Sequence, residues 1–150
     1  MSGETDLIKL YSGRILALAA DMPRTDRLTS PNATAKRRAP LCGSTVTVDV
    51  MVENGIVTDY AQDVKACALG QASAAIVGGA IVGQSVNVVR RGRDQLLAML
   101  KEGGPVPDAP FDELAVLEPA KDYKNRHASI MLAFEATLAA IEEASARDCA

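Results

Sequence analysis

The spacing of apolar positions changes several times along this chain, and each change marks an element. Over about residues 4–20, Leu7, Leu10, Tyr11, Ile15 and Leu18 recur at helical spacing and give one apolar stripe, which Pro23 brings to an end. The stretch onward to Pro40 holds Pro31, Asn32 and the basic run Lys36, Arg37, Arg38. It has no period and reads as an exposed loop. The period then becomes two. Val46, Val48, Val50 and Val52 alternate with Thr45, Thr47, Asp49 and Met51, the pattern of a strand with one buried face. Asn54-Gly55 accepts the positive φ angles of a type I′ turn, so residues 56–63 are predicted to return as the partner strand. Ile56, Thr58 and Tyr60 then lie on one side of it, and Val57, Asp59 and Ala61 on the other.

After the hairpin the pattern is helical again. Residues 67–82 are small and apolar (Ala68, Ala72, Ala74, Ala75, Gly78, Gly79, Ala80), which lets a helix lie close against a sheet, with Gly83 as its stop. Val86, Val89, Leu96, Leu97 and Leu100 predict a further helix ended by Gly103-Gly104-Pro105. A proline-rich connection and a short helical turn at Phe111, Leu114 and Leu117 follow. Ile130, Met131, Phe134, Leu138 and Ile141 then mark a long carboxy-terminal helix facing the core. Helix, antiparallel hairpin and helices form an α+β order, with no strand–helix–strand alternation to suggest a parallel sheet. The expectation is one domain over residues 1–150, with its core at about 6–143 and a flexible tail at about 145–150.

Composition narrows the function classes. Hydrophobic residues make up 48% of the 150 and aromatic residues 3%, with no Trp, so the core is aliphatic and no stacking platform for single-stranded nucleic acid exists. Sixteen Lys+Arg against nineteen Asp+Glu give a net charge of −3, which offers no field for attracting a polyanion. Residues 1–9 lack a basic segment followed by an apolar one, and no run reaches the roughly 18 apolar residues of a membrane span, so a cytoplasmic protein without a transmembrane segment is expected. Neither GxxxxGK[ST] nor GxGxxG occurs, and Asp49, Asp59 and Asp63 form no catalytic carboxylate pair; the expectation is a protein that is not an enzyme.

The candidate chemistry rests on cysteine. Cys42, Cys67 and Cys149 are an odd, sparse set, expected to be reduced. Cys42 precedes the first strand of the hairpin, and Cys67 stands where a helix begins. A thiol at a helix amino terminus meets exposed N–H groups that favour thiolate, the form that binds metal or attacks sulfur. Gly43 beside Cys42 allows a sharp turn and a close approach by a cluster. The spacing of Cys42 and Cys67 matches no CxxC motif. On spacing alone, two cysteines in so apolar a chain also read as small buried hydrophobes.

Pro40-Leu41-Cys42-Gly43, the valine-rich strand, Asn54-Gly55-Ile56-Val57-Thr58-Asp59 and Lys65-Ala66-Cys67-Ala68 with Gln71-Ala72-Ser73-Ala74-Ala75 resemble the U-type iron–sulfur cluster assembly scaffold family. The family pattern is P-x-C-G-D, a strand, x-x-G-x-I-x-D, then G-C-A-x-x-x-A-S. Arg126-His127-Ala128-Ser129 through Phe134 resembles its R-x-x-C-x-x-L-A-W segment, and the long stretch from Gly83 to Arg126 is like the SufU branch. The resemblance implies the SufE/IscU-like fold, a small antiparallel sheet built on a hairpin with helices packed against it. It also implies a [2Fe–2S] cluster or zinc held by three cysteines and an aspartate, and a cysteine desulfurase or iron–sulfur acceptor proteins as partners.

Two of the four implied ligands are present, Cys42 and Cys67. Ser44 stands in place of the aspartate, Ser129 in place of the third cysteine, which is the implied persulfide acceptor, and Ala66 in place of the glycine before the second cysteine. A serine hydroxyl stays protonated at neutral pH and replaces a soft anion poorly. Two functions therefore compete. One is a scaffold that binds iron or a cluster through Cys42 and Cys67. The other is a degenerate member acting as an accessory subunit of a larger iron–sulfur or respiratory complex. His127 could add a nitrogen ligand or be a partly exposed first-turn histidine. Cys149 could be a distant ligand or an incidental tail thiol. Lys36-Arg37-Arg38 could dock an acidic partner or simply be a solvated loop.

Overall fold

The computed structural model describes residues 12–40 and 43–149, with side chains as far as 146. The chain is an α+β protein in which a three-stranded antiparallel sheet, order β1-β2-β3, has helices packed on it. The elements are α1 (Gly13–Ala20), β1 (Ala33–Arg38), β2 (Thr45–Glu53), β3 (Ile56–Lys65), α2 (Ala68–Ala80), α3 (Val86–Glu102), a 3-10 segment (Asp112–Asp122) and α4 (Lys124–Cys149). α1 begins behind Ser12, whose Oγ accepts from the Ile15 amide. The expected stripe residues Leu7, Leu10 and Tyr11 lie outside the described residues.

The β2–β3 hairpin forms as its sequence predicts, with φ of 53° at Asn54 and 75° at Gly55 closing the turn. Val46, Val48, Val50 and Val52 are all buried. The faces of β3 differ from simple alternation. A register shift at Met51/Val52 pairs Met51 with Asp59 and Val52 with Val57, so Thr58 is the extra residue of a bulge. Val57 and Tyr60 are buried as a result, while Thr58 is exposed.

The stretch expected to be an exposed loop contains a strand. β1 pairs antiparallel with β2 from Ala33↔Val50 to Arg38↔Thr45. The backbone ladder holds it there, while its side chains (Ala, Thr, Ala, Lys, Arg, Arg) carry almost no apolar signal, as befits a charged sheet edge. Asp49, on β2 opposite Thr34, anchors the preceding segment. Its carboxylate accepts from Arg27 Nε at 2.6 Å and Nη2 at 2.9 Å, from the Leu28 amide at 3.1 Å and from Thr34 Oγ1 at 2.7 Å.

α4 lies across β1 and β2, and α2 packs on both α4 and β3. The small residues of α2 permit close approach to the neighbouring helix as well as to the sheet. A Cβ on Gly70 would sit 2.5 Å from Ser129 Oγ of α4, and Gly78 faces the Gln62 side chain of β3. α3 ends as expected at Gly103, which takes the left-handed conformation with φ 66°. The helical turn foreseen at Phe111 is longer than expected, running through Asp122, and Phe111 stacks edge-on against Phe134 of α4 at 5.2 Å.

Candidate functional site

Three of the residues singled out by sequence meet at one end of the sheet. Cys67 is the N-cap of α2, with its backbone still extended at φ −68°, ψ 170°. Its Sγ lies 3.5 Å from Ser129 Oγ on the first turns of α4, and Ser129 Oγ lies 3.2 Å from Ser44 Oγ just before β2. The Ser44 and Ser129 side chains are buried, while Cys67 is half-exposed. Cys67 is therefore the more exposed end of a row of three residues. Ser129 has one proton to give, so when it donates to a Cys67 thiolate it is free to accept from Ser44.

Cys42 lies outside the described residues, but both ends of its loop are held. The Ala39 amide donates to the Ser44 carbonyl and the Gly43 amide to the Ala39 carbonyl, each at 2.9 Å. Gly43 has φ 72°, the left-handed region that glycine enters without strain. The loop thus leaves β1 at Ala39 and rejoins the site at Ser44, two residues after Cys42.

The electrostatics at Cys67 favour the anion. Half-burial by itself pushes the thiol up. The Ser129 hydroxyl, the Gly70 and Leu69 N–H groups turned toward the sulfur, and the charge of Arg126 outweigh it, and the thiol titrates below its ordinary range. These amides belong to the first turn of α2, whose N-cap is Cys67 itself.

His127 is buried, not the partly exposed first-turn histidine considered from sequence. Its Nε2 donates to the carbonyls of Ala120 at 3.0 Å and Lys121 at 3.1 Å, joining α4 to the end of the 3-10 segment, and its Nδ1 has no partner. The imidazole thus closes the end of the 3-10 segment together with the Tyr123 amide, which also donates to the Ala120 carbonyl at 2.9 Å. The Cys149 side chain lies outside the described ones. Among the described residues no three of His, Cys, Asp and Glu cluster as a metal-binding group. With Cys42 added, one chain offers two thiols and two hydroxyls, a poor donor set for a cluster or for tetrahedral zinc.

Sequence reasoning missed Gly70. Its lack of a side chain is what allows Ser129 to come beside Cys67, and the only signal was the run of small residues in which it stands. Also missed were Gln62, fully buried and donating through Nε2 to the carbonyls of Pro23 and Ala74, and the Arg27–Asp49 pair. Both are polar groups on a strand whose partners come from distant segments.

No protein-family model and no curated protein matches the chain. Among solved structures, it is similar to the N-terminal part of a nitrogen-fixing NifU-like protein from Brucella abortus, with 42% identity and a TM-score of 0.92, covering 95% of this chain and 99% of that one. A putative iron–sulfur cluster assembly scaffold protein for the SUF system from Fervidobacterium islandicum AW-1 shares the fold at 17% identity and a TM-score of 0.80, covering 89% and 97%. A protein described as hypothetical shares it at 20% identity and a TM-score of 0.73, covering 90% and 98%. With identity at that level to the NifU-like protein along almost the whole of both chains, this chain belongs to the NifU-like, U-type scaffold family.

Proposed function

We propose that the chain is a binding protein of iron–sulfur cluster assembly, without turnover of its own, that takes iron or a cluster as cargo through the thiolates of Cys42 and Cys67. The observation that supports this best is the state of Cys67, a half-exposed, thiolate-prone sulfur at a helix N-cap, with a hydroxyl donor beside it. A buried structural cysteine has no need of any of these. The Cys42 loop, pinned at Ala39–Ser44, converges on the same end of the sheet. Two thiolates per chain leave coordination positions for outside donors, which suits cargo that is passed on and not retained. A cysteine desulfurase as sulfur source and an iron–sulfur acceptor as recipient fit this role, and both follow from the family.

A second reading is favoured by one contact. Ser44 and Ser129, the two substituted positions, are hydrogen-bonded to each other and buried, so the site is closed and satisfied without cargo. A family member that has become an accessory subunit would look like this. Anaerobic reconstitution with iron and sulfide, followed by visible absorbance and metal analysis, decides between them. The cargo reading expects colour in the wild-type protein and its loss in Cys67→Ser. A colourless, metal-free wild type beside a coloured Ser44→Asp/Ser129→Cys variant would overturn the cargo reading, and stable co-purification with a large complex would then point to the accessory one.

A further inference from the structure

Away from the thiols, the structure carries a groove whose floor is α4. One wall is the end of β1 with Arg37, Arg38, Ala39 and Pro40, and the other is α3. At the end nearest the site, Leu97, Ala128, Met131 and Leu132 bound an apolar cleft of about 330 Å³. It continues into a second cleft of about 180 Å³ lined by Arg37, Arg90, Arg93 and Leu138 of the two walls and the floor, and by the carboxylates Glu135 and Glu142. Ala128 to Glu142 is about 20 Å of helix at 1.5 Å per residue. A six-residue strand such as β1 spans about the same length.

Charge and topology specify the occupant. In a chain of net charge −3, this groove gathers Arg37, Arg38, Arg90 and Arg93. Only Arg93 has carboxylate partners among the described residues, Asp94 and Glu135. Among the described residues β1 has β2 on one side and no strand on the other, so its outer edge presents a row of backbone donors and acceptors. Edge charges alone are explained as protection against aggregation. An apolar cleft beside them is not, because protection calls for no place to seat a side chain.

We propose that this groove is a docking site for an extended acidic segment of a partner protein, added as a fourth strand to the edge of β1. Its carboxylates meet Arg37, Arg38 and Arg90, and one apolar side chain enters the Leu97–Met131–Leu132 cleft. The site does not require the chain to carry metal, so it stands or falls apart from the cargo reading.

The probe is a fluorescein-labelled peptide of about ten residues alternating Glu and Val, long enough to span the groove. It is followed by anisotropy against the full-length protein, with amide shifts of Ala33–Arg38 read by NMR. Saturable binding is expected, weakened about tenfold or more by Arg37→Glu/Arg38→Glu and separately by Leu97→Glu, and falling with added salt. Unchanged melting temperatures show that both variants are folded. The same peptide with proline at every second position should not bind. Equal binding of the proline peptide, no effect of Leu97→Glu, or no binding of the alternating peptide at all overturns the proposal. So does binding to phosphatidylglycerol vesicles through the same arginines in preference to the peptide, which would make the face a membrane contact.

Discussion

Asp49→Asn tests the logic by which the fold holds its edge. The Asp49 side chain is 1% exposed and accepts four hydrogen bonds, two from Arg27 and one each from Leu28 and Thr34. Asparagine keeps the volume but turns one acceptor into a donor, which then faces a donor, and it removes the charge that strengthens the rest. Hydrogen bonds to a charged group contribute about 1.5–3 kcal/mol each but are not additive. The Arg27 side chain is 51% exposed and recovers solvation when released, so its loss costs less than that of a fully buried partner. The net expectation is about 2–3 kcal/mol of destabilisation. In a chain of this size that lowers the melting temperature by about 4–12 °C.

The pH dependence follows from the direction of the shift. Arg27 first, and then Thr34 and the Leu28 amide, hold the Asp49 carboxyl below its usual range against the opposing effect of burial. A carboxylate with a depressed folded pKa stabilises fully above its unfolded value, about 3.9, and loses that contribution as pH falls through the folded one. The gap in melting temperature between wild type and Asp49→Asn should therefore be widest near neutral pH and close below about pH 4. Thermal unfolding followed by circular dichroism across that range checks it. A gap below about 2 °C at pH 7, or one that persists unchanged into acid, would refute this account of the clamp.

Two further outcomes bear on the site. Ser129→Ala removes the hydroxyl that favours the Cys67 thiolate, so iodoacetamide labelling of Cys67, followed peptide by peptide in mass spectrometry, should shift its pH midpoint upward and slow at neutral pH. Gly70→Ala gains about 1 kcal/mol of helix propensity but places a Cβ 2.5 Å from Ser129 Oγ and 2.9 Å from the Ala66 Cβ. Overpacking of about 1–3 kcal/mol should exceed the gain, and urea unfolding should report a net loss.

Much of the architecture was legible in the chain because it is decided locally. Asn54-Gly55 supplies two adjacent positive φ angles at little cost, and the valines of β2 alternate because one sheet face meets the helices. Gly103 ends α3 for the same kind of reason. Cys67 at the start of a helix could likewise be read from sequence, since the Leu69 and Gly70 amides that face it are its neighbours along the chain, whereas the contributions of Ser129 and Arg126 come from α4.

Tertiary structure decided the rest, because the determining partner lies far away in sequence. β1 is a strand by virtue of its ladder with β2, and its own side chains carry no period. The bulge at Thr58 moves Tyr60 to the buried face, where its hydroxyl meets Thr137 at 2.9 Å. Burial of His127 depends on the carbonyls of Ala120 and Lys121, which only the turn from the 3-10 segment into α4 brings to it. The sequence alone showed which residues stand at the four family positions. Only the fold could show that Ser44 and Ser129, 85 residues apart, bond to each other beside Cys67, since a hydrogen bond depends on where side chains arrive and not on their order in the chain.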